Sequence, residues 1–433
     1  MTFGRKNARR ILFLLLLFIL IVVPCRAVEI VHLMSSSNGL IWQQFLEETA
    51  RKYEALHPDI KIDLQYVPSA QYLDVITVRA ASGVSVDAYQ LYPSIATQII
   101  ESGLVMDLQP FFAADKDVKL ADFVPFAVEA FTYNGMLWGF PSAAYPLINF
   151  YNIDMYLENG LRTPNELGKE FTWEQFVDAA KKMTKDDNGD GVTDRYGVFT
   201  NNDLWRWFVY VNQAGGQVLN SLNNPDKSLF LTAPARTGLK FFIDLFQTHH
   251  VAPQEFAKWA VATTFPKGLI GNVPINSSSF VSTINQTPGV NYDVSELPHG
   301  PDNNATAIFM SAYQISSTSR HPQETWEWIK FVAVELENAR NFVRATGRVP
   351  VLRRLLGEYE NLLPGSPPHM YVLQNMLVHP KVQLEYLSPV ANEIRSTTNS
   401  IVLQAIRGNI AVETALEQID AQVTNLLAEV KRK

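Results

Sequence analysis

Cysteine is almost absent from this chain of 433 residues. The single one, Cys25, falls in an N-terminal leader, so the remainder of the chain has no cysteine pair that could form a disulfide. The folded part is therefore predicted to be stabilised by its core alone. Long hydrophobic runs are scarce as well. The run at residues 11–23 is shorter than the ~20 apolar residues that a membrane-spanning helix needs.

That short apolar run follows several basic residues and precedes small residues up to Ala27, a pattern typical of a cleaved signal peptide. We therefore predict a signal peptide at residues 1–27 and an exported protein, periplasmic or at the cell surface. Two alternatives stay open, an uncleaved membrane anchor and a lipoprotein anchored through Cys25. Pro24 departs from the small residue that normally precedes a lipid-bearing cysteine.

Motifs of catalysis and of nucleic-acid binding are missing too. The sequence has no GxSxG, P-loop or dinucleotide fingerprint, and its eight histidines show no metal-ligand spacing. No enzyme is predicted, although the many acidic residues leave a glycosidase pair open. The formal net charge is −7 and Lys and Arg form no cluster, which argues against nucleic acid as a partner.

What the chain does contain is a regular alternation of strand and helix patterns. Its length predicts two or three domains. The first part predicts strands at 29–34, 60–67 and 84–92 and helices at 39–56 and 71–82. This βαβα order indicates parallel strands with crossover helices. Later helices are predicted at 121–131, 204–213, 234–249 and 321–337, and strands at 292–297 and 307–311.

The most informative segment runs from residue 138 to residue 184. It contains Gly139-Phe140-Pro141, Asn149-Phe150-Tyr151-Asn152, Gly160-Leu161 and Thr172-Trp173-Glu174. Further marks keep a fixed order along the chain: Ser82-Gly83 to Asp87, Ser102-Gly103-Leu104, Asn188-Gly189-Asp190-Gly191, Phe265 with Gly268, Thr346-Gly347-Arg348-Val349-Pro350 and Gly408-Asn409. Together they resemble the extracellular solute-binding proteins of family 1, the sugar-type binding proteins of ABC importers. Val86 stands where that family commonly has a proline.

This resemblance implies an α/β, two-lobed periplasmic-binding-protein-like fold of type II, with several strands crossing between the lobes. The implied N-terminal lobe comprises residues 28–140 and 310–348, and the C-terminal lobe 141–309 and 349–433. The implied function is that of a monomer that captures a mono- or oligosaccharide between its lobes and delivers it to an ABC-transporter permease. The alternatives are a secreted carbohydrate-active enzyme and a same-fold binder of a polyamine or a polyol phosphate.

The implied ligand lies between the lobes, at strand ends and helix N-termini. Aromatic rings there can stack on sugar C–H faces, and neutral polar groups can bind hydroxyls. The candidate ligand-binding residues are Asn38, Trp42, Asp87, Tyr89, Gln90, Tyr145, Asn202, Trp205, Trp207, Asn276, Ser277 and Arg348. Trp205 and Trp207 cannot share a helix face, and Trp205 is favoured for the cleft because it is nearer the helix start.

Several of these candidates have ordinary structural alternatives. Trp42 is equally consistent with helix core, and Asp87 with a local cap. Tyr145 is also consistent with hinge packing, Asn276 and Ser277 with a surface loop, and Arg348 with an ion pair between the lobes.

A calcium loop is the one metal site that the sequence suggests. Asp186, Asn188, Asp190, the peptide oxygen of Val192 and Asp194 have the spacing of successive oxygen ligands, with Gly191 at the turn. Gly197 stands where a calcium loop has its bidentate glutamate, so any affinity is expected to be weak. The alternative is a turn held by Asp and Asn side chains. No other cofactor is predicted.

Overall fold

The computed structural model of the protein describes residues 27–36, 39–287, 289–363 and 365–432. The predicted leader up to residue 26, with Cys25, and the candidate ligand residue Asn38 lie outside these residues. Within the described part of the chain, no helix is both long and apolar enough to cross a membrane.

Strands and helices alternate along most of the described chain. The strands are β1 Val28–Ser35, β2 Ile60–Val67, β3 Ala88–Leu91, β4 Thr132–Tyr133, β5 Met136–Leu137, β6 Phe140–Asn152, β7 Tyr196–Val198, β8 Ile270–Ser277, β9 Tyr292–Ser295, β10 Ala307–Ile315 and β11 Gln383–Leu384. The helices up to the middle of the chain are α1 Leu40–Leu56, α2 Ser69–Ala81, α3 Pro93–Glu101, α4 Gln109–Ala114, α5 Pro125–Ala130, α6 Ile153–Glu158, α7 Pro164–Leu167, α8 Trp173–Met183 and α9 Leu204–Gln213. The later helices are α10 Ala233–Gln247, α11 Val261–Thr264, α12 Ser279–Asn285, α13 Pro322–Ala333, α14 Leu336–Thr346, α15 Arg353–Leu356, α16 Val372–Leu377, α17 Ala391–Ile406 and α18 Val412–Arg432.

The first three strands form the parallel unit that the sequence predicts. β1 pairs in parallel with β2, from Val28 opposite Ile60 to Ser35 opposite Val67, and in parallel with β3 on its other side. Helices α1 and α2 connect these strands as crossovers. The carboxyl ends of β1 and β3, and the starts of the helices that follow them, therefore meet at one edge of the sheet.

Two long strands, β6 and β10, join the two halves of the molecule. The first part of β6 pairs with β10, which also pairs with β3. Beyond Pro146, β6 pairs instead with β8 and β9, so its last residues belong to the second half. Val349 contacts the same crossing by exchanging two backbone hydrogen bonds with Ala144, at 3.0 and 3.2 Å. The predicted mixed α/β fold with several crossing strands is confirmed.

Apolar side chains form two large clusters, which is the arrangement that two α/β halves require. One cluster contains α1, the first strands and α13, with Trp42, Trp138 and Trp328 fully buried. The other contains α9, α10, α17 and α18, with Trp207 at its centre. The residue boundaries of the two lobes stay a prediction.

Some predicted elements have other limits. The third strand spans only Ala88–Leu91, because the loop before it is held by contacts to β1 and to residue 318. The helix predicted at 121–131 starts at Pro125. The helix predicted at 321–337 ends at Ala333, because the Glu335 carboxylate accepts from the Asn338 N–H and caps a new helix.

A buried histidine in β1 leads to a prediction on acid stability. His32 has no exposed surface, and its Nδ1 accepts a hydrogen bond of 3.0 Å from the indole N–H of Trp328. Burial lowers the pKa of His32 to about 3. The unfolded chain binds this proton below about pH 6.5, whereas the folded chain does not bind it until about pH 3. Below pH 6.5, falling pH therefore removes up to about 1.4 kcal/mol of stability per unit.

We expect His32→Gln to flatten this pH dependence, because a glutamine oxygen still accepts from Trp328 but takes up no proton. The measurement is the melting temperature between pH 7 and pH 4. The same carboxylates titrate in both proteins, so the difference isolates position 32. Parallel curves for the two proteins would contradict the assignment.

Candidate functional site

A cavity of about 810 Å³ lies between the two halves of the molecule, and both halves contribute to its walls. The first half supplies the end of β1 and the starts of α2 and α3. The second half supplies the starts of α9 and α17 and the end of β8, while β6 and β10 cross its floor. The lining residues are Ser35, Ser69, Ala70, Tyr72, Leu73, Asp74, Tyr92, Ser94, Ile95, Tyr145, Leu147, Asp203, Trp205, Arg206, Asn276, Ser277, Phe309, Glu385, Asn392 and Arg395.

Tyr145 lies on the floor of this cavity, at the point where β6 leaves β10. Its ring is 8% exposed, and its hydroxyl is 3.2 Å from the Ser311 hydroxyl. The Arg348 guanidinium carbon lies 4.9 Å from the centre of the Tyr145 ring and 4.2 Å from that of Trp42. These cation–π contacts fix the floor. Within the described residues no ion pair joins Arg348 to a carboxylate, and its role at the ligand or between the lobes stays a prediction.

Trp205 forms part of the opposite wall, in the first turn of α9. Asp203 caps this helix by accepting from the Trp205 backbone N–H at 3.1 Å. The indole packs beside Phe309 and Tyr386, with centroid distances of 6.5 and 6.2 Å, and 4% of the residue is exposed. Its Nε1 has no hydrogen-bond partner among the described residues. An apolar ring with a spare donor is therefore held at the cavity.

Asn276 and Ser277 reach the cavity because β8 bulges. Between the pairs Phe150–Val273 and Ile148–Asn276, β8 uses one more residue than β6. Ile275 in this bulge has a φ of 59°, a left-handed conformation that β-branched residues rarely adopt. The Ile275 carbonyl accepts a hydrogen bond from Nη1 of Arg206, which links the bulge to α9.

Charged side chains in the wall are the part of the site that sequence reasoning missed. Arg395, the fifth residue of α17, donates to both carboxylate oxygens of Asp203, 192 positions earlier in the chain. Glu385 is buried beside them. Burial raises the pKa of Glu385 to about 7, although hydrogen bonds from Ser94 and the Met310 N–H act to lower it. No local pattern marks Glu385 or Arg395, whereas Arg206 adjoins the predicted Trp205 and could have been found.

The structure brings together four of the predicted ligand residues, Tyr145, Trp205, Asn276 and Ser277. Three further predicted residues lie outside the cavity lining. Trp42 packs against Phe342 in the core, and Trp207 packs against Phe230. The Asn202 side chain donates to the Asn399 carbonyl at 2.7 Å.

The residues predicted at the end of the third strand also lie outside the lining. The Asp87 carboxylate accepts from the Val31 N–H at 2.9 Å and from the Ser319 hydroxyl at 2.6 Å, both distant in the chain, rather than from the segment that follows it. The Tyr89 hydroxyl lies 2.9 Å from that of Ser316, and Gln90 is fully buried. Which residues contact the ligand stays a prediction.

The acidic loop at 186–194 is organised by its own backbone. The Asp186 carboxylate accepts from the N–H groups of Gly189 and Gly191, both at 2.7 Å, and these bonds lower its pKa. Arg195 pairs with Asp187 and Glu158 at 2.7 and 2.8 Å and fastens the loop to α6. Across the described residues, no group of three acidic, histidine or cysteine side chains is arranged to hold a metal. A structural calcium ion here stays a prediction.

Two α/β halves, crossing strands and a ligand-sized cavity between them define the class of two-lobed solute-binding proteins. The chain belongs to the family of bacterial extracellular solute-binding proteins, whose family model matches residues 35–335. Its fold is that of an ABC substrate-binding protein of Listeria monocytogenes in complex with cycloalternan, with a TM-score of 0.81, 21% identity, and 93% of this chain and 99% of that chain covered.

Two further relatives agree with this assignment. The sugar-binding protein MalE of Xanthomonas citri superposes with a TM-score of 0.77 at 19% identity, over 93% of this chain and 98% of that one. The arabinooligosaccharide-binding protein of Bacillus subtilis (strain 168) is 24% identical over 185 residues, which are 40% of this chain and 41% of that protein.

Proposed function

We propose that this protein captures a mono- or oligosaccharide in the cavity between its halves and delivers it to the permease of an ABC importer. The observation that carries the proposal is the pairing of buried aromatic rings, Tyr145 and Trp205, with the polar groups of Asn276 and Ser277 in one cavity. Rings match the C–H faces of a sugar, and amides and hydroxyls match its hydroxyl groups. The sugar-binding proteins that share the fold support it.

A thermal-shift screen against mono-, di- and oligosaccharides tests this function. A ligand that binds only the folded state increases the free energy of unfolding and so raises the melting temperature. At a ligand concentration of a hundred times the dissociation constant, the added stability is about 2.7 kcal/mol. We expect at least one saccharide to do so, with calorimetry confirming one site per chain. A screen in which spermidine or another polyamine stabilises the protein and no saccharide does would contradict the proposal.

We further propose that the bound saccharide is released unchanged. The test is incubation of the protein with a labelled oligosaccharide identified in the screen, followed by chromatography. Recovery of intact oligosaccharide is expected, and time-dependent appearance of shorter products would establish the competing function of a carbohydrate-active enzyme.

The site of action that we propose is the periplasm or the cell surface, where the protein works as a monomer. Cell fractionation and size-exclusion chromatography check these two points. If a lipid on Cys25 anchors the protein, Cys25→Ala will release it from the membrane fraction.

A further inference from the structure

Arg206 is a positive charge built into the wall of the cavity. It is the third residue of α9, directly after Trp205, and it is half-buried. Its Nη1 donates to the Ile275 carbonyl in the bulge of β8, so the guanidinium is held in one place. Its Nε and Nη2 donate to no described residue, although five N–H donors make this group one of the strongest in proteins.

No carboxylate forms an ion pair with this guanidinium within the described residues, although the charge of nearby Asp203 acts on it. The nearest acidic group in sequence, Asp203, is engaged on both oxygens by Arg395 and also caps α9. Among the described residues the hydrogen-bond partner of Arg206 is a neutral carbonyl, and burial lowers its pKa because it penalises the charged form. An arginine cannot respond by losing its proton at physiological pH.

The other charges in the lining differ in this respect. Asp74 is exposed to solvent at the rim, on α2. Glu385 is buried, but a carboxyl whose pKa is near 7 can remove its own charge by taking up a proton. The described residues therefore leave Arg206 without an ion-pair partner. A half-buried cation without one is costly unless a ligand supplies the anion.

Resting on the saccharide function above, we propose that the natural solute is acidic, and that its carboxylate or phosphate group binds the unpaired edge of Arg206. The planar guanidinium presents two parallel N–H bonds, which suits both of these groups. The sugar ring of such a solute would lie against Trp205, the neighbour of Arg206 on α9. This arrangement selects acidic over neutral saccharides of the same shape.

Calorimetry with matched pairs of probes tests the preference. The pairs are oligogalacturonates and their methyl esters, which share one sugar skeleton and differ in charge, and hexose phosphates and the parent hexoses. We expect an acid to bind at least about tenfold more tightly than its neutral partner, as a charged hydrogen bond implies. The pair that shows the preference tells whether the anion is a carboxylate or a phosphate.

Arg206→Gln assigns the preference to this residue, because glutamine can still donate to Ile275 but carries no charge. We expect the variant to bind the acid and its neutral partner within about twofold of each other. Arg206→Lys keeps the charge and should retain part of the preference. Arg162→Gln removes an exposed guanidinium outside the lining and should leave both affinities unchanged.

Three results would overturn the inference. Neutral saccharides could bind while every acidic one fails, the acid and its neutral partner could bind the unmodified protein equally, or a folded Arg206→Gln could keep the full preference. The first two leave the saccharide function standing. Failure of every saccharide, acidic or neutral, would remove both that function and the inference. If Arg206→Gln does not fold, the comparison of probes on the unmodified protein decides alone.

Discussion

Trp205→Ala is expected to weaken saccharide binding by about a hundredfold, or about 2.7 kcal/mol. The indole lies in the cavity wall and is held there by a capped helix, so the part of it that reaches the cavity can contact a sugar without further ordering. The exchange removes this contact surface. Titration calorimetry with a saccharide from the screen gives the affinity.

Trp205 also packs against neighbouring rings, so the change must be separated from loss of fold. Melting temperature and circular dichroism establish whether the variant is folded. Tyr371→Ala is a matched control, because Tyr371 is 43% exposed, contacts His369 and does not line the cavity. Tyr145→Ala should reduce affinity as Trp205→Ala does. Unchanged affinity in both cavity variants would show that the ligand binds elsewhere.

Gly238→Ala is expected to destabilise the protein by about 3 kcal/mol, the upper part of the range for overpacking. A Cβ at this position would lie 2.5 Å from the Val211 nitrogen and 2.7 Å from the Tyr210 carbonyl carbon. Both are backbone atoms of α9, which cannot move aside as a side chain could. Alanine is intrinsically favoured in a helix by about 1 kcal/mol, so propensity alone predicts the opposite sign.

The effect should reach the ligand site as well, because α9 holds Trp205 and Arg206. Chemical denaturation measures the stability, and calorimetry measures the affinity of whatever folded variant remains. Gly357→Ala is the control, since a Cβ there meets nothing within 4 Å and its backbone is right-handed helical. Equal stabilities for the two alanine variants would mean that α9 and α10 are not in this close contact.

The sequence predicted best those features that depend on the local pattern of strands and helices. Strand and helix patterns at 29–92 predict parallel strands, and in the structure β1 pairs in parallel with both β2 and β3. Trp205 reaches the cavity because it opens a helix, and Asn276 and Ser277 because they end a strand, whereas Tyr145 lies within β6, close to the point where that strand leaves β10. Sequence position alone could therefore place them near the carboxyl edges of the sheet.

Other parts of the site depend on contacts that no local pattern records. The Asp203–Arg395 pair joins residues far apart in the chain, and Glu385 belongs to no element with a ligand signature. Asp87 illustrates the opposite error. Asp87 lies just before a strand, but its carboxylate already accepts hydrogen bonds from Val31 and Ser319. Only the tertiary structure shows these contacts.

The structure changes the expected charge of the ligand site more than any other feature. The candidate loops contain mainly amides and aromatics, which favours a neutral sugar. Folding adds Asp203, Arg206, Glu385 and Arg395 to the same cavity. Only Arg206 among these has a fixed charge with no ion pair in the described chain, and this makes an acidic saccharide the solute to test first.

The most direct test of saccharide capture is a crystal structure of the protein with the tightest saccharide from the screen. We predict electron density for the sugar in the cavity between the halves, with a ring against Trp205 and hydroxyls near Asn276 and Ser277. The proposed binding site would be contradicted if the central cavity were empty and the saccharide lay in another pocket, such as the one beside Tyr53 and Lys330.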